Sequence, residues 1–199
     1  MISNVCKIEN GTKDLAAILR ESEKVAEYNG LTHKQALQLR LICEEIDGML
    51  PNIIPSFDGD LWIEFENGVC RVNVSLRYED FTAEKKESLV ALAKNKKNAA
   101  AVGIVGKIRS VLEDMFLDED IVWGADVSPE SVFFTTGYHD RMDYARCWSL
   151  EQYRASVKQA EKAEAWDELE KSVIASVADD VIVGVKGKKV TIIIQKNFA

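Results

Sequence analysis

The feature that most constrains the fold is a pair of alternating segments joined by Asn67–Gly68. Residues 60–66 (DLWIEFE) and residues 69–77 (VCRVNVSLR) both alternate apolar with polar side chains. A period of two is typical of a β-strand that is buried on one face. Asn-Gly tolerates the positive φ angles of the tight turns that join antiparallel strands. The sequence therefore predicts an antiparallel β-hairpin over residues 60–77.

Further strand and helix patterns surround this hairpin. A short strand is predicted at residues 4–8, and a second hairpin is formed by residues 179–185 and 190–196. Apolar residues at helical spacing predict helices between the strands, over residues 13–28, 33–50, 83–94, 101–116 and 149–175. This order favours an α+β fold, a two-layer α/β sandwich with helices on one face of a mixed, largely antiparallel sheet. The polar residues of the hairpin predict that the other face is exposed.

The ends of two helices are marked by specific residues. Thr32 is a suitable N-cap for the helix that follows it, and Pro51 is predicted to end that helix. Ser149 is a second candidate N-cap, and Gln152 three residues later could complete a capping box.

Charge and cysteine content narrow the functional classes. The 199-residue chain has 33 acidic and 25 basic side chains and a formal net charge of −8. Such a balance disfavours nucleic-acid binding and fits a small-molecule site or a basic protein partner. The sequence shows no membrane span and no signal peptide, so a cytoplasmic location is expected. The four cysteines are widely spaced, which predicts buried free thiols rather than a zinc site or disulfides.

Adjacent carboxylates occur in the segment LICEEIDGML, residues 41–50. Because neighbours on a helix are separated by about 100°, Glu44 and Glu45 cannot both face one substrate atom. One of them could line a pocket while the other faces solvent. The alternative is a solvated helix face, with one of the two paired to Arg40.

Gly103 and Gly106 lie where the fourth helical pattern begins. Unpaired backbone amides at such a start can hold a phosphate, although the spacing matches neither a P-loop nor a dinucleotide-binding fingerprint. The alternative is that these small residues allow close helix packing.

Two other features have functional and structural interpretations. His139, next to Asp140, could serve as a base or a metal ligand, or it could lie in a solvated turn. The basic cluster KNKKN at residues 94–98 could approach an anion, or it could be a solvated loop.

The stretch LRESEKVAEYNGLTHKQALQLRLICEEIDGML resembles the opening of the anti-sigma-factor branch of the histidine-kinase-like ATPase (GHKL or Bergerat) superfamily, a group of bacterial regulators. The hairpin and the closing segment VTIIIQK are similar to that family's sheet. The resemblance covers roughly residues 4–116 and the last hairpin. It implies one domain over residues 1–199, with a divergent insertion at about 118–165, and ATP held with Mg²⁺ between helices and sheet.

The family's motifs map onto this chain only in part. Glu45 matches the family's water-orienting glutamate, whereas Met49 stands where an asparagine would hold Mg²⁺. A thioether is a poor ligand for so hard a cation. Asp80 lies where the adenine-reading aspartate is expected, but no glycine follows two residues later. The family's third motif is glycine-rich and lies at the end of a loop that covers the nucleotide, and Gly103 and Gly106 match it only weakly.

Three functional hypotheses follow. The first is a regulatory module that binds a sigma-factor-like or other regulatory protein, with weak or lost nucleotide binding. The second is a working ATP-binding regulator or serine kinase that uses Glu45 as its base. The third is an unrelated small-molecule enzyme that uses Glu44, Glu45 or His139. Neither nucleic acid nor a membrane is expected as a partner, and homodimer formation is left open.

Overall fold

A computed structural model describes most of the helices and strands of the chain. The residues described are 1–9, 15–54, 56–77, 103–117, 146–159, 166, 169, 172–186 and 189–199.

Six strands form a single sheet in the order β1-β2-β3-β6-β5-β4. Every pairing in it is antiparallel, so the largely antiparallel sheet is confirmed, and the described strands include no parallel pair. The strands are β1 (Cys6–Glu9), β2 (Asp58–Glu66), β3 (Val69–Arg77), β4 (Arg146–Ser149), β5 (Asp180–Lys186) and β6 (Lys189–Asn197).

The Asn67–Gly68 hairpin is confirmed. Asn67 has a φ of 52° and Gly68 a φ of 79°, as required at both central residues of a type I′ turn. The turn sets the register in which Glu66 lies opposite Val69 and Asp58 opposite Arg77. The closing hairpin is confirmed as the pairing of β5 with β6.

Helices pack against one face of this sheet, which confirms the α+β fold. A single apolar core joins side chains from the helices to alternate residues of the strands. Because the alternation has a period of two, these strand residues share one face. The helices are α1 (Leu15–Tyr28), α2 (His33–Ile53), α3 (Gly103–Leu117), α4 (Leu150–Gln159) and α5 (Val173–Val177). Fully buried core residues include Ile18, Leu39, Ile42, Ile46, Leu61, Ile63, Ile108, Leu150 and Ile192.

Helix α2 begins as predicted but ends later. Thr32 is the N-cap, and its side chain and that of Gln35 complete a capping box. Pro51 does not end the helix, which continues to Ile53. A proline in the last turn removes only one helical hydrogen bond, and the amide of Ile54 still donates to Leu50 O at 2.9 Å.

The single helix predicted over residues 149–175 is wrong. Ser149 does cap α4, since its Oγ accepts the Gln152 N–H at 3.3 Å. Ser172, however, has extended backbone angles and caps the new helix α5. A helical apolar period cannot reveal such a break, because the pattern resumes after it.

The exposed polar face expected for the sheet is observed only in part: Asp58 and Glu66 of β2 are exposed, but the middle of the same face of β3 and β6 is covered. Asn73, Ser75 and Thr191 point to the face opposite the helices, yet each is buried. The Asn73 amide is satisfied by Arg71 O at 3.2 Å. Alternation identifies the polar side of a strand, but it does not determine whether that side meets water.

Part of the segment interpreted as an insertion belongs to the sheet. Strand β4 pairs with β5, and α4 packs on both strands. No helix within the described ranges is long and apolar enough to cross a membrane.

Candidate functional site

The described residues with predicted site roles lie on α2 (Glu44, Glu45 and Met49) and in the first turn of α3 (Gly103 and Gly106). Helix α2 contacts α1, α3 and α5. Its buried stripe, which includes Ile42, Ile46 and Met49, faces the core. The opposite stripe of α2 therefore holds the side chains that could meet a ligand.

Glu44 belongs to a surface ion-pair network. Its Oε1 accepts a hydrogen bond from Arg40 Nε at 3.0 Å, and Arg40 Nη1 also contacts Glu23 Oε1 at 2.9 Å. These groups are substantially exposed, so each pair contributes only a few tenths of a kcal/mol, roughly. The prediction that one carboxylate of the pair is a surface residue bonded to Arg40 is confirmed for Glu44.

Glu45 has a different environment from its neighbour. The side chain is half-buried, and it makes no hydrogen bond or ion pair with another described residue. It lies one turn before Met49, at the border of the buried stripe of α2. Asp47 is also half-buried and without a partner among the described residues, so these two carboxylates of α2 are the ones best placed to contact a ligand.

Met49 points into the packed core. Only 4% of it is exposed, and it belongs to the same apolar cluster as Leu50 and Ile53. A methionine fills such irregular space with favourable dispersion contacts. Because its surroundings are apolar, position 49 supplies neither a hard ligand nor an open approach for Mg²⁺.

Asn52 is the nearest asparagine to Met49, and it lies within α2 rather than beyond its end. Its side chain is exposed, and Nδ2 donates to Gly48 O at 3.1 Å. That hydrogen bond occupies the amide with the backbone of its own helix. Asn52 is thus one turn further along α2 than the position the family resemblance assigns to asparagine.

The two glycines occupy the first turn of α3. Gly103 is its first residue, so the helix start predicted there is confirmed, and Gly106 is buried. The next residue, Lys107, places its ammonium 5.1 Å from the centroid of the Tyr153 ring on α4. Trp148 on β4 lies 5.9 Å from the same ring. The cation of this turn is therefore engaged with an aromatic neighbour.

Several predicted residues are not part of this arrangement. His33 is exposed at the first position of α2, a full helix away from Met49. Asp80, His139 and the basic cluster 94–98 lie outside the described residues, so their predicted roles stay predictions. Within the described ranges, no group of three or more His, Cys, Asp or Glu side chains is placed to hold a metal ion.

The thiols do not contribute reactive groups to this region. Cys6, Cys43 and Cys70 are buried and free, and Cys147 is half-buried. Burial raises the pKa of Cys70 to about 12, and burial together with nearby thiols raises the pKa of Cys43 further. Since the thiolate is the reactive form, Cys43 and Cys70 are chemically inert in the folded chain.

Glu21 is a buried carboxylate that the sequence interpretation missed. Its carboxylate accepts a hydrogen bond from Lys24 Nζ at 2.6 Å. It also accepts hydrogen bonds from the backbone amide and the side-chain amide of Asn4. The hydrogen bond from Lys24 lowers the pKa of Glu21, with further lowering from Asn4, against the opposing effect of burial. The signal in the sequence was the segment RESEK, which interrupts the apolar spacing of α1 with a residue that proves to be buried.

Asp180 is a second buried carboxylate, at the start of β5. Its carboxylate accepts hydrogen bonds from Ser149 Oγ at 3.0 Å, from the Glu151 amide at 2.9 Å and from the Val181 amide at 2.8 Å. The carboxylate thus lies at the N-terminus of α4, where the helix dipole favours a negative charge. Because all these partners are protein groups, we interpret this cluster as structural.

The described part of α2 offers two half-buried carboxylates without described partners, Glu45 and Asp47, next to the buried apolar stripe of that helix. A carboxylate there can orient water or a donor group, but Met49 adds no oxygen ligand for Mg²⁺. Comparison with known proteins found no matching family model, no matching curated protein and no matching solved structure.

Proposed function

We propose that this chain is a cytoplasmic regulatory protein-binding module with a histidine-kinase-like ATPase fold in which nucleotide binding is weak or lost. The observation that carries this proposal is the burial of Met49 in the apolar core. The order of elements supports the fold assignment: a helix, a capped helix, a hairpin, a helix with two early glycines and a closing hairpin.

Met49 bears on how this chain could hold Mg²⁺. A nucleotide triphosphate is held largely through a cation that bridges its phosphates. Met49 offers a thioether where the resemblance implies an amide oxygen, and a thioether does not replace water around Mg²⁺. The loss of this ligand weakens the site even if Glu45 keeps its place.

The net charge of the chain favours one kind of partner. The chain carries a net charge of −8, which attracts basic surfaces and raises their association rates. A sigma-factor-like or other regulatory protein with a basic face fits that charge better than a polyanion does.

A thermal-shift titration with ATP and Mg²⁺ tests the nucleotide part of the proposal. A site with a Kd of about 50 µM would gain about 2.7 kcal/mol of stability at about 5 mM nucleotide. For a chain of this size that gain raises Tm by roughly 5–10 °C. We expect no change beyond that produced by an equal ionic strength of magnesium pyrophosphate, and a saturable increase above this control would refute the proposal.

A working ATP-binding regulator or serine kinase is the second candidate. The half-buried, unpartnered state of Glu45 within the described residues favours it, because a base must be free to accept a proton. The decisive variant is Glu45→Gln, with Glu44→Gln as the matched control. Under this hypothesis only the first variant abolishes phosphoryl transfer, whereas under the main proposal neither protein has such activity.

A further inference from the structure

Among the described strands, β1 forms one edge of the sheet. It pairs with β2 alone and stands first in the strand order. Just before it, Ser3 N–H donates to Ile63 O at 2.8 Å and Phe65 N–H donates to Met1 O at 2.8 Å. Residues of an edge strand alternate in direction, so Ile2 turns its own N–H and C=O away from the sheet. No described residue bonds to these two groups of Ile2.

A β-bulge shapes this edge. Ile2 lies opposite Glu64, whereas Cys6 lies opposite Leu61, so the edge strand has one more residue than its partner over this interval. Glu21 anchors the bulge by accepting the Asn4 amide at 3.1 Å. The outward backbone groups beyond the bulge are therefore held by α1 in a fixed position.

The bulge also brings two apolar side chains to the same face. Ile2 shares the outer face with Glu64, and Val5, next to the core residue Cys6, points to that face as well. Ile2 is 67% exposed and Val5 57% exposed. Soluble proteins usually protect an open edge with charges or prolines, so this exposed apolar pair beside open backbone groups indicates a docking edge.

The charge beside the edge favours one kind of occupant. On β2, four of the five outer-face residues are carboxylates. Asp60 is bonded to Lys7 of β1 at 2.5 Å and Asp58 to Arg77 of β3 at 3.0 Å, but these two cations do not offset the five carboxylates of β1 and β2. A second copy of the chain would bring an identical set of carboxylates against this surface and would be repelled. A basic segment would be attracted. The outer-face carboxylates of β1 and β2 are Glu9, Asp58, Asp60, Glu64 and Glu66.

We propose that the edge formed by residues 2–5 is the docking site for an extended, basic segment of a partner protein, which adds to the described sheet as a further strand. Main-chain hydrogen bonds to Ile2 would supply affinity, and apolar side chains over Ile2 and Val5 would set the register. This inference rests on the proposed function as a protein-binding module and names the surface and the chemistry of its partner.

Peptides of defined sequence test this proposal. The probe is a fluorescent peptide of about nine residues that alternates lysine with valine, a typical strand length. The controls are the same peptide with glutamate for lysine, and one with N-methylated valines that cannot donate main-chain hydrogen bonds. We expect saturable binding of the basic peptide alone, together with slowed hydrogen exchange at the Ile2 amide.

Variants locate the binding surface. Val5→Lys adds a positive charge at the edge, and Leu37→Lys makes the same change at a similarly exposed residue on α2. We expect Val5→Lys to weaken the basic peptide at least about tenfold and Leu37→Lys to have less than about a third of that effect. Ile2→Pro should also weaken binding, since it removes the outward N–H without touching the hydrogen bonds from Ser3 and Phe65.

Several outcomes would overturn the inference: equal binding of the acidic or N-methylated peptide, equal effects of the two lysine variants, or self-association of the chain that Val5→Lys abolishes. The nucleotide titration does not involve this edge. Absence of peptide binding would refute the docking edge alone, whereas saturable ATP binding would refute the proposed function whatever the peptides do.

Discussion

Replacing Met49 by asparagine probes the feature on which the functional account depends. The substitution installs the amide that the family resemblance expects at this position. The account predicts that the amide enters the apolar core instead of a nucleotide groove, because Met49 is only 4% exposed.

The expected cost follows from this burial. Removing a fully buried methionine side chain from the core costs about 1.5–3 kcal/mol. Placing an amide there without a partner costs a further 1–3 kcal/mol, roughly. We therefore expect Met49→Asn to lower the free energy of unfolding by about 2.5–6 kcal/mol, a large fraction of the roughly 5–15 kcal/mol typical of a domain.

Urea unfolding followed by circular dichroism measures this change. The midpoint should fall while the slope m stays constant, because the surface exposed on unfolding is nearly unchanged. Met49→Leu is the matched control, and it should cost less than about 1.5 kcal/mol. If Met49→Asn instead costs under about 1 kcal/mol, or binds ATP with Mg²⁺ while staying folded, then position 49 opens onto a groove and the reasoning fails.

Three further predictions concern stability. Gly59→Ala should lower the free energy of unfolding in urea by more than about 2 kcal/mol, because the new Cβ would lie only 2.3 Å from a carbonyl oxygen of β3. Gly48→Ala meets no atom within 4 Å and should raise that free energy by about 0.5–1 kcal/mol. Equal effects of the two substitutions would contradict this prediction. The pKa of Glu21 is lowered from 4.5 in the folded chain, so the stabilisation that its carboxylate provides is present above about pH 4.5 and is lost as the pH falls through the folded-state pKa. The difference in the free energy of unfolding between the wild type and Glu21→Gln should therefore shrink in acid. A difference that does not depend on pH would contradict the pairing of Glu21 with Lys24 and Asn4. The pKa values of Cys43 and Cys70 are raised from 9.0 in the folded chain, so above about pH 9 these thiols lose their protons only in the unfolded chain. The free energy of unfolding should therefore fall by about 1.4 kcal/mol per pH unit for each thiol. Cys70→Ala should reduce that slope, and an unchanged slope would contradict the prediction.

The sheet could largely be predicted from the sequence because its information is local. Asn67 and Gly68 determine the turn, and the turn determines the register of the hairpin. Thr32 and Ser149 are similarly local signals, since a hydroxyl that caps a helix acts within three residues.

The boundaries that were wrong depend on context outside the local pattern. Pro51 is tolerated because it falls in the last turn of α2, where the following amide of Ile54 restores the helical pattern. The burial of Asn73 and Thr191 depends on what surrounds the polar face, and alternation carries no information about that.

The candidate site was only half predictable. Periodicity separates Glu44 from Glu45, but only the structure pairs Glu44 with Arg40. The partnership of Glu21 with Asn4 joins residues seventeen positions apart, across the bulge in the edge strand. A buried carboxylate of this kind looks like a surface residue until its partner is known.

The most direct test of the central claim is an NMR titration of the chain, labelled at methionine methyl groups and backbone amides, with ATP and Mg²⁺. We expect the Met49 methyl resonance and the Gly106 amide to keep their chemical shifts at nucleotide concentrations up to about 1 mM. Unchanged shifts at that concentration mean that the binding free energy is less favourable than about −4 kcal/mol. Saturable shifts of both signals, with half-saturation below that concentration, would show that α2 and α3 hold a nucleotide and would contradict the account.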